Sequence, residues 1–374
     1  MDGDPIERAR TIARVVLAEE APLIDRRAEL TPRVLDVLRA EELLNLCGDS
    51  PEQAVPLRVA VDVARALARG CGATALVWST HTAQLMFLQS VARNQPWFAK
   101  YVSSIGLGQP LLTSSTREAG ERGAEPDRSA FVVDGAMVAL RKDRSVISYP
   151  RQADAILVSA RRHVAAAPDD RAAALVLGNQ VTFEDEQPWN AMGMRGWQTG
   201  TAVLHARFAA EQLVAGPYEP LSARTPAPVS YVLWVAVWLG LAEEAVDRAA
   251  GGVGRRRPGN VTALVGEAQR RLLAVSGYLA SVTELVQSWQ DRDCMPLSGP
   301  ARLHAIKVTA SHECLTAARL ALEALGVDGY REDSPHSVGR IVRDLHSSLV
   351  MHPDAPVNDD ATSITGGGDR HYLR

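Results

Sequence analysis

Residues 189–208 read WNAMGMRGWQTGTAVLHARF, and their second half, TAVLHARF, closes a series of short β-rich runs. The earlier members are QPLLTSS, SAFVVDG, SVISY, DAILVSA, AALVL and QVTFED, all between residues 108 and 215. Gly, Pro, Asp and Asn punctuate them, which is the texture of an antiparallel β domain. Asp134-Gly135, between FVV and AMVAL, supplies a hairpin turn signal. Beyond the segment the texture turns helical: VSYVLWVAVWLGLA at 229–242 is the most apolar stretch of the chain.

On the C-terminal side, long helical patterns lie near 226–250, 260–291, 298–325 and 335–350. GGVGRRRPGN, DRDCMPLSGP and GVDGYREDSP join them, each with Gly or Pro, and four helices on short loops predict a four-helix bundle. The N-terminal side is helical too. Pro5 opens a helix carrying Ile6, Ala9, Ile12, Ala13 and Val16, and Thr31-Pro32 opens another with Val34, Leu35, Val37 and Leu38. Longer apolar helices follow near 55–69 and 72–93. The second contains ALVWSTHTAQLMFLQSVA, apolar nearly all round, and is predicted to lie buried in a bundle. The organisation expected is α+β: a helical domain over 1–107, a β domain over 108–220, a four-helix bundle over 221–352 and a tail over 353–374.

A chain of 374 residues with 46% hydrophobic and 22% charged residues can bury a large core, which excludes global disorder. The 40 Lys+Arg against 44 Asp+Glu give a net charge of -4, so no basic excess points to nucleic acid or anionic lipid. The apolar run at 229–242 falls short of the roughly 20 residues of a membrane span. MDGDPIERAR lacks the charged-then-apolar pattern of a signal peptide, so a cytoplasmic protein is expected. Cys47, Cys71, Cys294 and Cys314 are widely spaced and form no CxxC pair, reading as buried thiols and not as a disulfide frame or a zinc site. Nor is there a GxGxxG after a strand, a P-loop, a GxSxG elbow or an HExxH.

Helices, then a β domain, then a four-helix bundle is a layout that resembles the acyl-CoA dehydrogenase superfamily, and four segments carry the resemblance in order. ATALVWSTHTAQLMF at 73–87 is similar to the central helix of its N-terminal domain. The opening segment at 189–208 resembles its "LGMRG(S/T)" run, ALEALGVDGYRED at 321–333 its "QxxGGxGY" loop, and SVGRIVRDLHSSLVMH at 337–352 its "RxxRDaR" helix. The resemblance covers nearly the whole chain. It implies an N-terminal helical domain, a middle antiparallel β-barrel domain and a C-terminal four-helix bundle. It also implies a flavin, usually FAD, between the last two, in a homo-oligomer, a dimer or tetramer.

Carried over residue by residue, the resemblance puts Ser115 or Thr116 in the place of the threonine of the family's "TEPxAGSD" loop. It puts Ile147 and Ser148 at the strand end beside the flavin ring. Arg255, with Arg256 and Arg257 beside it, falls where an arginine meets the FAD diphosphate, a task its forked guanidinium suits. Glu323 replaces the glutamine of the adenine-side loop, whose first glycine is Gly326 and whose second is Val327. Glutamate near a diphosphate is unfavourable unless turned away, which leaves FMN, or reduced flavin supplied by a separate reductase, as alternatives to FAD. The plainer reading of Ser115, Thr116 and Ser148 is as turn and strand hydroxyls satisfying local backbone.

The usual catalytic glutamate of the family corresponds to His352, and the alternative base of some relatives lies near Ser230. Neither is a carboxylate. Relatives lacking that glutamate include two-component flavin monooxygenases, which need a dry cavity and no carboxylate base. His81, Ser148 and His352 are the candidates to line it, His352 or His81 also as base. Set beside this, His81 reads as a satisfied core histidine, His346 as a helix-surface residue and His352 as a helix-end residue. Trp234 and Trp238 read as packing. The function expected is flavin-dependent oxidation of a small or thioester-linked metabolite, by oxygen transfer and without a metal. The alternatives are an acyl-CoA or acyl-carrier-protein dehydrogenase with an atypical base, and a non-redox protein whose flavin site has decayed.

Overall fold

Pro5 opens α1 (Pro5–Ile12), with the Asp4 carboxylate accepting the Ile6 N–H at 3.0 Å as its cap. A π-helical turn over Ala13–Leu17 joins it to α2 (Ala18–Arg27). Thr31-Pro32 begins α3 (Pro32–Ala40), but the Thr31 hydroxyl donates to Glu20 at 2.8 Å instead of capping its own helix. The computed structural model describes residues 4–46, 48, 50, 53, 55–118, 129–252, 259–292, 296 and 298–351. Next come α4 (Leu57–Gly70), α5 (Gly72–Ala92) and α6 (Pro96–Gly108). No charged residue interrupts α5, and nearly all of it is buried, so the helix can sit only inside the molecule.

The strands are β1 (Leu112–Ser115), β2 (Arg117–Glu118), β3 (Phe131–Asp134), β4 (Met137–Ser148), β5 (Ala155–Arg161), β6 (Arg171–Leu177), β7 (Val181–Pro188) and β8 (Thr199–Ala209). They form two hydrogen-bonded sheets, β1-β5-β6 and β2-β4-β8-β7, with β3 paired to β4 through a hairpin in which Gly135 takes φ 58°. All described ladders are antiparallel except β1 with β5. Phe131, Val138 and Phe208 of one sheet and Ile156, Val158 and Val176 of the other share a single core. β4 and β8 pair from Met137↔Ala209 to Ser148↔Thr199, so the strand ends bearing Ser148 and Thr199 lie side by side.

The C-terminal helices are α7 (Tyr218–Arg224), α8 (Pro226–Gly252), α9 (Gly259–Asp291), α10 (Gly299–Leu325), α11 (Val327–Tyr330) and α12 (Gly339–His346). α8 packs on α4, α5, α9 and α10. Its approach to α4 is closed by Gly240, where an added Cβ would stand 2.3 Å from the Arg65 carbonyl oxygen. Residues 218–252 are long and apolar enough to cross a membrane, yet 72% of their most apolar window is buried inside the fold. Cys71 and Cys314 are free thiols in the core, and burial pushes both thiol pKa values up. Cys47 and Cys294 lie outside the described residues.

Candidate active-site cleft

A cleft of about 410 Å³ opens where α5, the ends of β1 and β4, the turn Arg195–Trp197 and the α7–α8 pair converge. Helix α5 packs against β1, the turn and α8, and so floors it with Thr80 and Gln84. One wall carries hydroxyls from the sheets: Thr113, Ser114, Thr116 and Ser148. The facing wall carries Tyr218, Ser222, Ser230, Tyr231 and Trp234 from α7 and α8. Tyr231 and Trp234 meet edge to face, 5.8 Å between ring centres. A larger crevice, about 670 Å³, lies between α1, α4 and α8, but Arg65 and Arg69 there are already paired with Glu243, Glu244 and Asp247.

The mouth of the cleft holds Arg171 and Glu219, 3.9 Å apart. Arg171 is nearly buried and also donates to the Ser159 carbonyl at 3.1 Å and hydroxyl at 2.9 Å. The Glu219 side chain is 56% exposed. Burial pushes the Tyr218 hydroxyl pKa up, against hydrogen bonds to Ser222 and Thr116 that lower it.

Trp197 is held in place by an unusual loop. Met194 and Gln198, which flank the turn Arg195–Trp197, both take positive φ (50° and 46°). The Met194 N–H donates to the buried Asp344 carboxylate of α12 at 2.6 Å. Arg343, next to it, grips Asp25 of α2 through two hydrogen bonds (2.6 and 3.1 Å) and donates to the Met192 carbonyl. Arg195 donates to the Asp25 carbonyl at 2.8 Å. The GMRG segment and the Arg343-Asp344 pair, widely separated in sequence, thus form one clamp. Burial raises the Asp344 pKa to about 6, against the opposing pull of Arg340 and the Met194 hydrogen bond.

The residues singled out from sequence fall in four places. Thr116 and Ser148 line the cleft, and Ser148 shares a hydrogen bond of 2.8 Å with Thr199. Ser115 does not: it is fully buried and hydrogen-bonded to Ser145. Ile147 likewise packs into the core between the sheets. His81 is corrected from a cavity-lining or basic role to a core residue. Its Nδ1 accepts the Leu112 N–H at 3.1 Å, its Nε2 donates to the Leu44 carbonyl at 2.8 Å, and burial lowers its pKa to about 4. Both ring nitrogens are spent on backbone, so no lone pair is left for a substrate.

Glu323 is exposed on α10, and Gly326 caps that helix at φ 59° with Val327 71% exposed beside it; none of the three lines the cleft. Arg255 and His352 lie outside the described residues. His346 donates from Nδ1 to the Val342 carbonyl one turn back. Trp238 is core, whereas Trp234 faces the cleft. Gln84, Arg171, Trp197, Tyr218 and Glu219 escaped the sequence reading. For Gln84 a signal existed: Thr80 and Gln84 are one turn apart on the same face of a helix without charged residues, next to the His81 that drew the reading.

No family description and no curated protein sequence matches the chain. Solved structures do. The dibenzothiophene monooxygenase TdsC from Paenibacillus sp. A11-2, also solved with FMN bound, superposes with a TM-score of 0.77 at 17% identity, over 97% of this chain and 96% of its own. A nitrososynthase from Micromonospora carbonacea var. africana gives 0.79 at 18% identity, over 97% and 95%. Butyryl-CoA dehydrogenase from Megasphaera elsdenii gives 0.78 at 15% identity, over 97% and 96%.

Proposed function

From the acyl-CoA dehydrogenase-like fold that this chain shares with those three proteins, we propose that it is a flavin-dependent oxidoreductase transferring oxygen to a small metabolite. One observation carries oxygen transfer over desaturation: Glu219 is the only carboxylate among the described residues lining the cleft, and it stands half-exposed at the mouth beside Arg171. A desaturating base must instead reach a substrate α-proton from within the site. Ser230, where some relatives place a base, spends its hydroxyl on the Pro226 carbonyl at 2.6 Å.

The residues present suit a flavin ring. The Trp197 Nε1–H is buried with no hydrogen-bond partner among the described residues, on a wall that also offers the hydroxyls of Ser114, Thr116 and Ser148. Thr116, Ser148 and Trp197 are the residues that would hold the ring, giving donors toward its carbonyl edge. When bound in reduced form, the flavin supplies the two electrons and two protons that convert one atom of O2 to water while the other passes to substrate. The protein's part is to orient and to exclude water: Tyr231 and Trp234 close the apolar side, and the clamp on residues 190–198 fixes Trp197. Either FMN or FAD satisfies this wall, and a separate reductase is the partner that would deliver it. The dibenzothiophene named for the monooxygenase neighbour suggests a heteroaromatic compound.

Titration with FMN, FAD and their reduced forms tests the reading through quenching of flavin fluorescence and protein-bound colour. Binding of none of them would leave the non-redox alternative. Mixing the reduced complex with 18O2 and a candidate heteroaromatic substrate should place one labelled atom in the product, read by mass spectrometry; reoxidation of the flavin with no label in the product overturns oxygen transfer. Glu219 is the specific observation that keeps the dehydrogenase reading alive. If it holds, Glu219→Gln removes anaerobic flavin reduction by an acyl-CoA substrate.

A further inference from the structure

We propose that Gln84 determines specificity in the cleft, selecting a flat substrate that presents an N–H or O–H donor to its amide oxygen. The inference deepens the flavin-dependent reading and rests on it for the placement of cofactor and substrate on opposite sides of the same cleft. Gln84 lines the cleft from α5 at 5% exposure, and its Oε1 is buried without a hydrogen-bond partner among the described residues.

Several of the other polar groups lining the cleft are engaged within the protein. The Thr80 hydroxyl donates to the Leu76 carbonyl at 2.9 Å and that of Thr113 to the Ser148 carbonyl at 3.1 Å. Ser148 is paired with Thr199, Ser230 with its own helix, and Thr116 and Ser222 meet the Tyr218 hydroxyl. Gln84 therefore holds an acceptor withdrawn from water that no protein group satisfies. A ligand donor placed there removes a desolvation cost already present in the free protein, and an analogue lacking the donor leaves it in place.

The shape of the occupant follows from the rings around it. Tyr231 and Trp234 favour a flat, fused or conjugated body. Its charge follows from α5, which carries no Asp, Glu, Lys or Arg along its length. A neutral amide oxygen on an uncharged helix suits a neutral heterocyclic N–H or a hydroxyl, since a cation would be desolvated there without a counter-charge.

Indole and benzothiophene are fused bicycles of similar size that differ in N–H against sulfur. Calorimetric titration of both into the FMN-saturated full chain should show indole binding about 10-fold or more tightly. Gln84→Leu should erase that gap by weakening indole alone, and Gln84→Met, closer in length, repeats the test should the first variant fold poorly. FMN binding, read separately by fluorescence quenching, should be the same in both variants as in the wild type. If FMN does not bind at all, the cofactor reading fails, and the indole–benzothiophene difference is then read on the flavin-free chain. Equal affinities for the two probes, no binding of either, or a gap that survives both substitutions overturns the proposal.

Discussion

Between pH 6 and pH 4, Asp344→Asn is expected to lose stability relative to the wild-type protein and His81→Gln to gain it. Two buried groups of opposite sign produce this. His81 has its pKa lowered from 6.5 to about 4, chiefly by burial, with the Leu44 carbonyl hydrogen bond and Asp154 raising it and Arg39 lowering it. The folded state then binds fewer protons than the unfolded one between those values, so the neutral imidazole's contribution, complete above pH 6.5, disappears as pH falls through about 4. Asp344 is the reverse. Its pKa rises from 3.8 to about 6 because burial outweighs Arg340, the Met194 N–H and Arg343, while Asp25 adds to the rise. The folded state binds more protons in that window, and stability grows as pH falls from about 6 towards 4.

The two contributions therefore oppose one another in the wild type. Gln at position 81 can keep a donor for Leu44 and an acceptor for Leu112 without titrating. Asn at 344 can keep the acceptor for Met194, although it gives up the charge facing Arg340, 3.6 Å away. Urea midpoints at pH 4, 5 and 6 would read the three curves. Parallel curves for all three proteins would show that neither group titrates as its surroundings dictate.

Gly193→Ala is the second large effect expected, a loss of about 3 kcal/mol of stability together with weakened ligand binding in the cleft. A Cβ at 193 would stand 2.1 Å from the Arg343 carbonyl oxygen, 2.4 Å from its carbon and 2.6 Å from the Asp344 nitrogen. These are backbone atoms of a helix, which cannot rotate away as a side chain could. Relief requires α12 to separate from the loop, and that strains both the Met194–Asp344 hydrogen bond and the Arg343–Asp25 pair. Thermal unfolding followed by circular dichroism measures the first effect, and ligand titration the second. Gly266→Ala is the control. Nothing lies within 4 Å of an added Cβ there, in mid α9, and a gain of up to about 1 kcal/mol is expected.

Local signals in the sequence were enough for most of the long elements, while α6 and α7 were not anticipated. Prolines mark where α1 and α3 start, the lack of any charged residue in α5 gives its burial, and Asp134-Gly135 marks the β3–β4 turn. The cleft is another matter, because its residues are gathered from elements far apart in the chain. Thr116 and Ser148 were accessible through the family resemblance, but which of two adjacent hydroxyls faces the cleft is settled only in the folded chain, where Ser115 is buried against Ser145. His81 misled because a buried histidine satisfied by backbone looks, in sequence, the same as one aimed at a ligand. Arg171 and Glu219 approach each other only once β6 and α7 are folded.

The Arg343–Asp25 pair, which joins groups 318 positions apart, has a consequence for vectorial synthesis. While the ribosome is still producing α9 and α10, the GMRG loop has its α2 anchor but not its α12 one, and the indole of Trp197 is held from one side only. Closure late in translation is slow because so long a stretch of polypeptide must first be brought into contact. During that interval the nascent chain exposes an unfinished apolar hollow, open to association with other chains.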